Sequence, residues 1–142
     1  MTEFDIRTSI VPFAPEHLAG VMRLCADERW EALAADPRRT ARVLAAPGVT
    51  TVVALDREGL VLGFAEVFSD GEIQAYLSAV AVAPSVRRQG LARALVLEAF
   101  RSAGGERLDL LSADDAIPFY ESFDHQRKPG FRVNPPIDTV PR

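Results

Sequence analysis

The sequence predicts a mixed α/β (α+β) domain: a mostly antiparallel central sheet with helices on both faces. Three observations lead there. Strand-like and helix-like segments read in the order β-α-α-β-β-β-α-β-α-β. The middle strands are joined by short turns, as antiparallel hairpins are, before one strand–helix–strand crossover that calls for a parallel pair. The run Ala79-Val80-Ala81-Val82 is apolar at every position, which suits a central strand covered on each side.

The elements follow in order. Ile6 to Phe13 reads as a first strand, ended by Pro12 and Pro15. Pro15 then suits the first turn of a helix, where its missing N–H is no loss. Leu18, Val21, Met22 and Cys25 recur at i, i+3, i+4 and i+7, one helical face. Cys25 therefore reads as a core residue, and His17 as a surface one. A second helical region covers Trp30 to Ala46, with Trp30 as a packing residue. Asp36-Pro37 restarts it as a cap plus first-turn proline, and Pro47-Gly48 stops it.

The pattern then changes from period 3.6 to β-branched runs. Thr50 to Leu55 and Val61 to Phe68 form a hairpin across Asp56-Arg57-Glu58-Gly59. Ser69-Asp70-Gly71 turns the chain into a third, longer strand, Ile73 to Val82. A helix from about Gln89 to Ala103 places Leu91, Leu95, Val96, Ala99 and Phe100 on one face, and Gly104-Gly105 ends it. Arg107 to Leu111 is a further strand. Ser112-Ala-Asp-Asp opens a last helix, with Asp114 and Asp115 as its caps and Phe119, Tyr120 and Phe123 along it. Gly130 to Val133 reads as a short final strand, and Asn134 to Arg142, with three prolines, as an irregular tail.

At 142 residues and 15.5 kDa the chain suits one domain spanning 1–142, with surface for one core and not two. Sixteen Lys plus Arg face twenty Asp plus Glu, for a net charge of −4. That balance lacks the basic footprint of a nucleic-acid binder, so any anion site must concentrate positive charge locally. One cysteine excludes an internal disulfide, and the two histidines lack a metal spacing. The N-terminus is not a signal peptide, and no run approaches the ~18 apolar residues of a membrane span. These readings predict a cytoplasmic protein that binds no metal, nucleic acid or membrane. The bias toward Arg, Ala and Val resembles a high-GC bacterial genome.

The informative stretch is Val80-Ala-Val-Ala-Pro-Ser-Val-Arg-Arg-Gln-Gly-Leu-Ala92. A buried strand ends at Pro84, and an Arg-rich loop runs into a helix that begins at Gly90. The first N–H groups of a helix lack internal partners and sit at the positive end of its dipole, a site for phosphate. Gly90 lets a ligand approach the backbone, Ala92 keeps the next inward position small, and Arg87 and Arg88 add charge. Neither GxGxxG nor GxxxxGK[ST] is present.

Arg87-x-x-Gly90-x-Ala92 resembles the [Q/R]-x-x-G-x-[G/A] signature of the GNAT superfamily of acyl-CoA-dependent N-acetyltransferases. Ala116-x-x-Phe119-Tyr120-Glu121 is similar to the family's A-x-x-F-Y-E element, and the resemblance spans about Thr50 to Phe131. It implies a GNAT-like sheet, splayed at the cofactor site, and transfer of an acetyl group from acetyl-CoA to a primary amine of a small molecule or protein. The attack is direct, in a ternary complex. The resemblance implies that Val80, Ala81 and Val82 pair with the pantetheine arm, one N–H polarising the thioester carbonyl. It implies that Arg87, Arg88, Gln89, Gly90, Leu91 and Ala92 hold the pyrophosphate, and that Tyr120 protonates the leaving thiolate. The base is assigned to Glu72, at the start of the central strand, acting directly or through water, ahead of Glu66. His125 with Arg127 and Lys128 reads either as a solvated basic loop or as a contact to a CoA phosphate. The sequence departs from the family where Asp124-His125 replaces a Gly-Phe pair, with Gly130-Phe131 arriving later. The shortened C-terminal strand region implies a homodimer. The rival reading is a non-catalytic acyl-CoA-binding regulatory module on the same fold. A third, a plain interaction domain, requires no CoA binding.

Overall fold

The computed structural model describes residues 8–137. Two compact units divide at Leu110 and Leu111. The first holds β1 (Ser9–Pro12), α1 (Leu18–Asp27), α2 (Glu31–Ala34), α3 (Pro37–Leu44), β2 (Val49–Leu55), β3 (Val61–Ser69), β4 (Gln74–Val82), α4 (Leu91–Ala103) and β5 (Arg107–Asp109). The second holds α5 (Ile117–Glu121), entered through a 3-10 turn at Asp114–Ala116.

The sheet order is β1-β2-β3-β4-β5. The first three pairings are antiparallel, and β4–β5, reached through the α4 crossover, is parallel. This is the mixed sheet the sequence predicts. Val21, Leu24 and Cys25 of α1 and Leu44 of α3 pack with Val53, Phe64, Ala79 and Ala81 on one face of the sheet. Each fully buried Leu or Phe there stabilises the fold by roughly 1.5–3 kcal/mol relative to exposure. Trp30 sets its ring edge-on to Phe64, with centroids 6.3 Å apart. On the opposite face α4 buries Leu91, Leu95, Val96 and Ala99. Gly63 permits that approach: a Cβ there would lie 2.8 Å from Leu95 and 2.9 Å from the Ala81 carbonyl oxygen.

Local chemistry sets the boundaries. Asp36 accepts the Arg39 N–H at 3.1 Å, so the cap-plus-proline restart forms as expected. Pro15 opens a 3-10 turn that leads into α1. Three expectations are corrected. His17 is buried, because its Nδ1 accepts the Ala14 N–H at 2.9 Å and its ring meets Phe13 edge-on. Asp114 and Asp115 do not cap the last helix: Ala116 holds its N-cap position, and the two aspartates sit in the 3-10 turn before it. Gly130–Val133 forms no strand, and its Phe131 and Val133 are 84% and 88% exposed. The start of the first predicted strand, Ile6 and Arg7, and the end of the tail lie outside the described residues.

Candidate functional site

The site begins at an interruption in the sheet. β4 has nine residues, but β5 pairs only with its first three, the last pair being Tyr76 with Asp109. From Leu77 onward β4 has no strand on that side among the described residues. Its other edge stays paired with β3 as far as Gly63–Val82.

The register fixes which peptide groups face the gap. Ala83 N–H donates to the Leu62 carbonyl at 2.8 Å. Antiparallel pairs alternate between bonded and non-bonded, so Gly63–Val82 and Ala65–Val80 are non-bonded pairs and Phe64–Ala81 is a bonded one. Val80 and Val82 therefore turn their N–H and C=O groups away from β3, into the gap. Ala81 is turned the other way, its peptide groups engaged with Phe64. Of the three residues predicted to meet a pantetheine arm, Val80 and Val82 turn their peptide groups to the gap, where the Val82 carbonyl accepts from Arg87 Nε, and Ala81 anchors them.

Past Val82 the chain makes a short 3-10 turn, Pro84–Val86, and enters α4 with Gly90 at the N-cap position, φ +82° and ψ 4°. No side chain caps this helix, and no acidic residue stands in its first turn. Among the described residues its leading Leu91 and Ala92 amides thus have neither an internal carbonyl nor a carboxylate to satisfy them. Gly90 can hold the left-handed conformation without the penalty a Cβ brings. Arg88 also has positive φ, +63°, which costs an ordinary residue about 1–2 kcal/mol. The loop is thus held in a strained turn beside a helix N-terminus, an arrangement that fits a pyrophosphate. Arg87 and Arg88 are exposed, Gln89 and Ala92 are half-buried, and Leu91 is a core residue that can offer only its backbone.

Arg87 has partners that sequence reasoning missed. Its Nε donates to the Val82 carbonyl at 3.3 Å, and its Nη2 pairs with Glu28 at 3.3 Å. The guanidinium ties the end of β4 to the loop and to the C-terminal end of α1. Glu28 lies 59 residues away in sequence, and no local signal links the two.

Glu66 is 1% exposed, on the face of the sheet that carries Phe64. It lies at the β-bulge where Ser78 is inserted in β4, between the pairs Glu66–Ala79 and Val67–Leu77. Its Oε2 has no hydrogen-bond partner among the described residues. Burial pushes its carboxyl pKa up, and a hydrogen bond from Ser78 partly opposes that. Glu72 is different. It is exposed in the turn before β4, which begins at Gln74, one residue after the predicted start at Ile73, so Glu72 is not on the strand. Its N–H donates to Asp70 at 2.8 Å. Cys25 is fully buried, and burial, then Glu66 and Glu28, push its thiol up to about 11. A thiol so placed is not a nucleophile at neutral pH.

In the second unit Tyr120 lies on α5, half-buried, its ring 4.9 Å from Phe119 and stacked on Phe123 at 6.4 Å. Arg127 pairs with Glu121 at 3.0 Å, and His125 Nδ1 lies 2.8 Å from the Phe123 carbonyl. Among the described residues no three His, Cys, Asp or Glu side chains converge as a metal-binding group would. No described helix is long and apolar enough to cross a membrane.

The sequence profile of the acetyltransferase (GNAT) domain matches residues 47–127, more than half of the chain. The fold is similar to that of solved structures. One is a "putative acetyltransferase" from Deinococcus radiodurans R1, with 24% identity over 94% of this chain and 93% of that one and a TM-score of 0.72. Another is an acetyltransferase of Trypanosoma brucei, with 21% identity over 89% and 99% and a TM-score of 0.70. A third is the aminoglycoside N-acetyltransferase AAC(6')-Iy in complex with CoA, with 18% identity over 89% and 94% and a TM-score of 0.67. No match was found among curated protein sequences.

Proposed function

The chain belongs to the acetyltransferase (GNAT) domain family, and on that premise we propose that it is an N-acetyltransferase. It takes the acetyl group of acetyl-CoA and transfers it to a primary amine within a ternary complex. The observation that carries this reading is the free edge of β4, Val80 and Val82, running directly into the uncapped, glycine-led N-terminus of α4.

Each residue has a stated task. The Val80 and Val82 peptide groups extend the sheet onto the pantetheine arm, as an added strand would. A gap-facing N–H polarises the thioester carbonyl. The α4 amides from Gly90 onward, with Arg87 and Arg88, bind the pyrophosphate. The amine nitrogen then bonds to the carbonyl carbon, and the carbon–sulfur bond breaks. Tyr120, by its match to the family element, gives its proton to the thiolate. Glu72, in the solvated turn before β4, takes the ammonium proton through water. Glu66 is the second candidate for that task, favoured by one observation: it is a buried carboxyl with an unpartnered oxygen and a raised pKa. A raised carboxyl pKa moves toward the range in which a general base works at neutral pH.

The test is release of free thiol from acetyl-CoA in the presence of a panel of primary amines. Amine-dependent release supports transfer. Tight acetyl-CoA binding with no release by any amine favours the non-catalytic acyl-CoA-binding module. Comparison of Glu72→Gln with Glu66→Gln identifies the base, whose loss should lower kcat by about 10² or more.

A further inference from the structure

A groove of about 570 Å³ opens where β3 ends and β4 begins, lined among others by Pro47, Val49, Phe68, Asp70, Gln74 and Tyr76. It adjoins the gap in the sheet, because Tyr76 belongs both to this groove and to the last β4–β5 pair, beyond which the gap opens. Phe68 and Tyr76 are partners across β3 and β4 and stack with centroids 6.2 Å apart at 29°. Phe68 is an apolar ring left 40% exposed, although its neighbour Val67 on the opposite face is fully buried. A stacked aromatic pair, Phe68 exposed and Tyr76 half-buried, in a groove is an apolar platform for a flat ligand.

The charges at the groove are few and ordered. Among the described residues Asp70 is the one carboxylate in the lining. The backbone N–H groups of Ile73, Glu72 and Gln74 donate to it at 2.7, 2.8 and 3.2 Å. Those bonds lower its pKa, so it stays ionised at neutral pH. Gln74 is fixed as well: its amide donates to Asp109 at 2.9 Å and accepts from Arg107. Arg107 acts electrostatically on Asp70. One anion is therefore available to a single ammonium, and a fixed guanidinium stands close enough to oppose a second. A polycation would need several carboxylates, and the described residues of the lining supply one.

We propose that this groove is the acceptor subsite, and that its ligand is a small monoamine carried on a flat apolar body, an arylalkylamine, and not a polyamine, an aminoglycoside or a peptide lysine. The inference rests on the acetyltransferase reading given above. Phe68 and Tyr76 hold the ring, and Asp70 attracts the ammonium and leads it toward the β4 gap.

The experiment uses the full chain, acetyl-CoA and four probes: 2-phenylethylamine, spermidine, kanamycin and a lysine-containing peptide. Amine binding is measured by calorimetry at saturating CoA, and thiol release is measured in parallel. The expected result is that 2-phenylethylamine exceeds the other three at least 10-fold in kcat/KM. Phe68→Ala and Tyr76→Ala, with acetyl-CoA affinity retained as evidence of folding, should each raise its KM about 10-fold. Phe68→Leu should recover part of the loss if the variants fold, because it restores apolar area without the ring. Preference for spermidine, kanamycin or the peptide overturns the substrate class. Thiol release that is unchanged by the two alanine variants overturns the groove and leaves the acetyltransferase reading standing. Binding of 2-phenylethylamine that depends on Phe68 and Tyr76, but without thiol release, supports the groove and overturns the transfer reading.

Discussion

Replacing Gly90 with valine changes one backbone angle and tests the phosphate cradle. Gly90 sits at φ +82°, a region that a β-branched residue enters only under strain. The strain for an ordinary residue is about 1–2 kcal/mol. A domain stable by roughly 5–15 kcal/mol survives that loss, with Tm lowered by about 2–8 °C. The strain is relieved if the peptide rotates toward the β region, which turns the leading α4 amides off the ligand. Hydrogen bonds to charged groups contribute about 1.5–3 kcal/mol each. Loss of two weakens binding by about 3–6 kcal/mol, or roughly 10²- to 10⁴-fold in Kd. Calorimetry with acetyl-CoA reads that change, and the far-UV circular dichroism should persist. Gly90→Asn is the companion variant, since asparagine tolerates the left-handed region; it should keep most of the affinity. An unchanged Kd for Gly90→Val would refute the reasoning.

Three further predictions concern the proton acid, the buried carboxyl and assembly. Tyr120→Phe keeps the ring contacts with Phe119 and Phe123, so the far-UV spectrum should persist while kcat falls about 10²- to 10⁴-fold with acetyl-CoA affinity unchanged; full turnover with chemistry rate-limiting would make Tyr120 a packing residue. Glu66 has its pKa raised in the folded state above the ordinary 4.5, so its protonated form favours folding. That stability is fully present below about pH 4.5 and is lost as pH rises through the folded pKa; Glu66→Gln should flatten this part of the Tm–pH profile, and parallel profiles would contradict it. Exposed Phe131 and Val133 support a homodimer formed partly through the C-terminal region, with a light-scattering mass twice 15.5 kDa; a monomer mass at working concentrations would exclude it.

Much of the fold was legible because its signals are local. Asp36-Pro37, the Asp56–Gly59 turn and the Leu91-Leu95-Ala99 spacing each act within a few residues, and each forms as read. The strand–loop–helix segment proposed as the cradle could be read for the same reason: strand, arginines, Gly90 and helix are consecutive in the chain. The failures are of two kinds. Some local signals gave way to context. His17 is polar, yet a bond to the Ala14 amide carries it inside. Gly130–Val133 has strand-like residues, but a strand requires a partner edge, and none is paired with it among the described residues. Other features depend on register and have no local signal. The Ser78 bulge, which puts Tyr76 on the face that carries Phe68, follows from how β3 and β4 align. The Arg87–Glu28 pair and the Phe68–Tyr76 stack likewise exist only once the sheet is assembled.

The central claim is that the free edge of β4 receives acetyl-CoA, and amide hydrogen exchange followed residue by residue by NMR tests it directly. In the free protein the Val80 and Val82 amides should exchange rapidly, and the Ala81 amide, bonded to Phe64, slowly. Saturation with acetyl-CoA should bring at least one of the Val80 and Val82 rates down toward that of Ala81. If both amides exchange as fast with bound acetyl-CoA as without it, β4 does not hold the pantetheine arm and the account is contradicted.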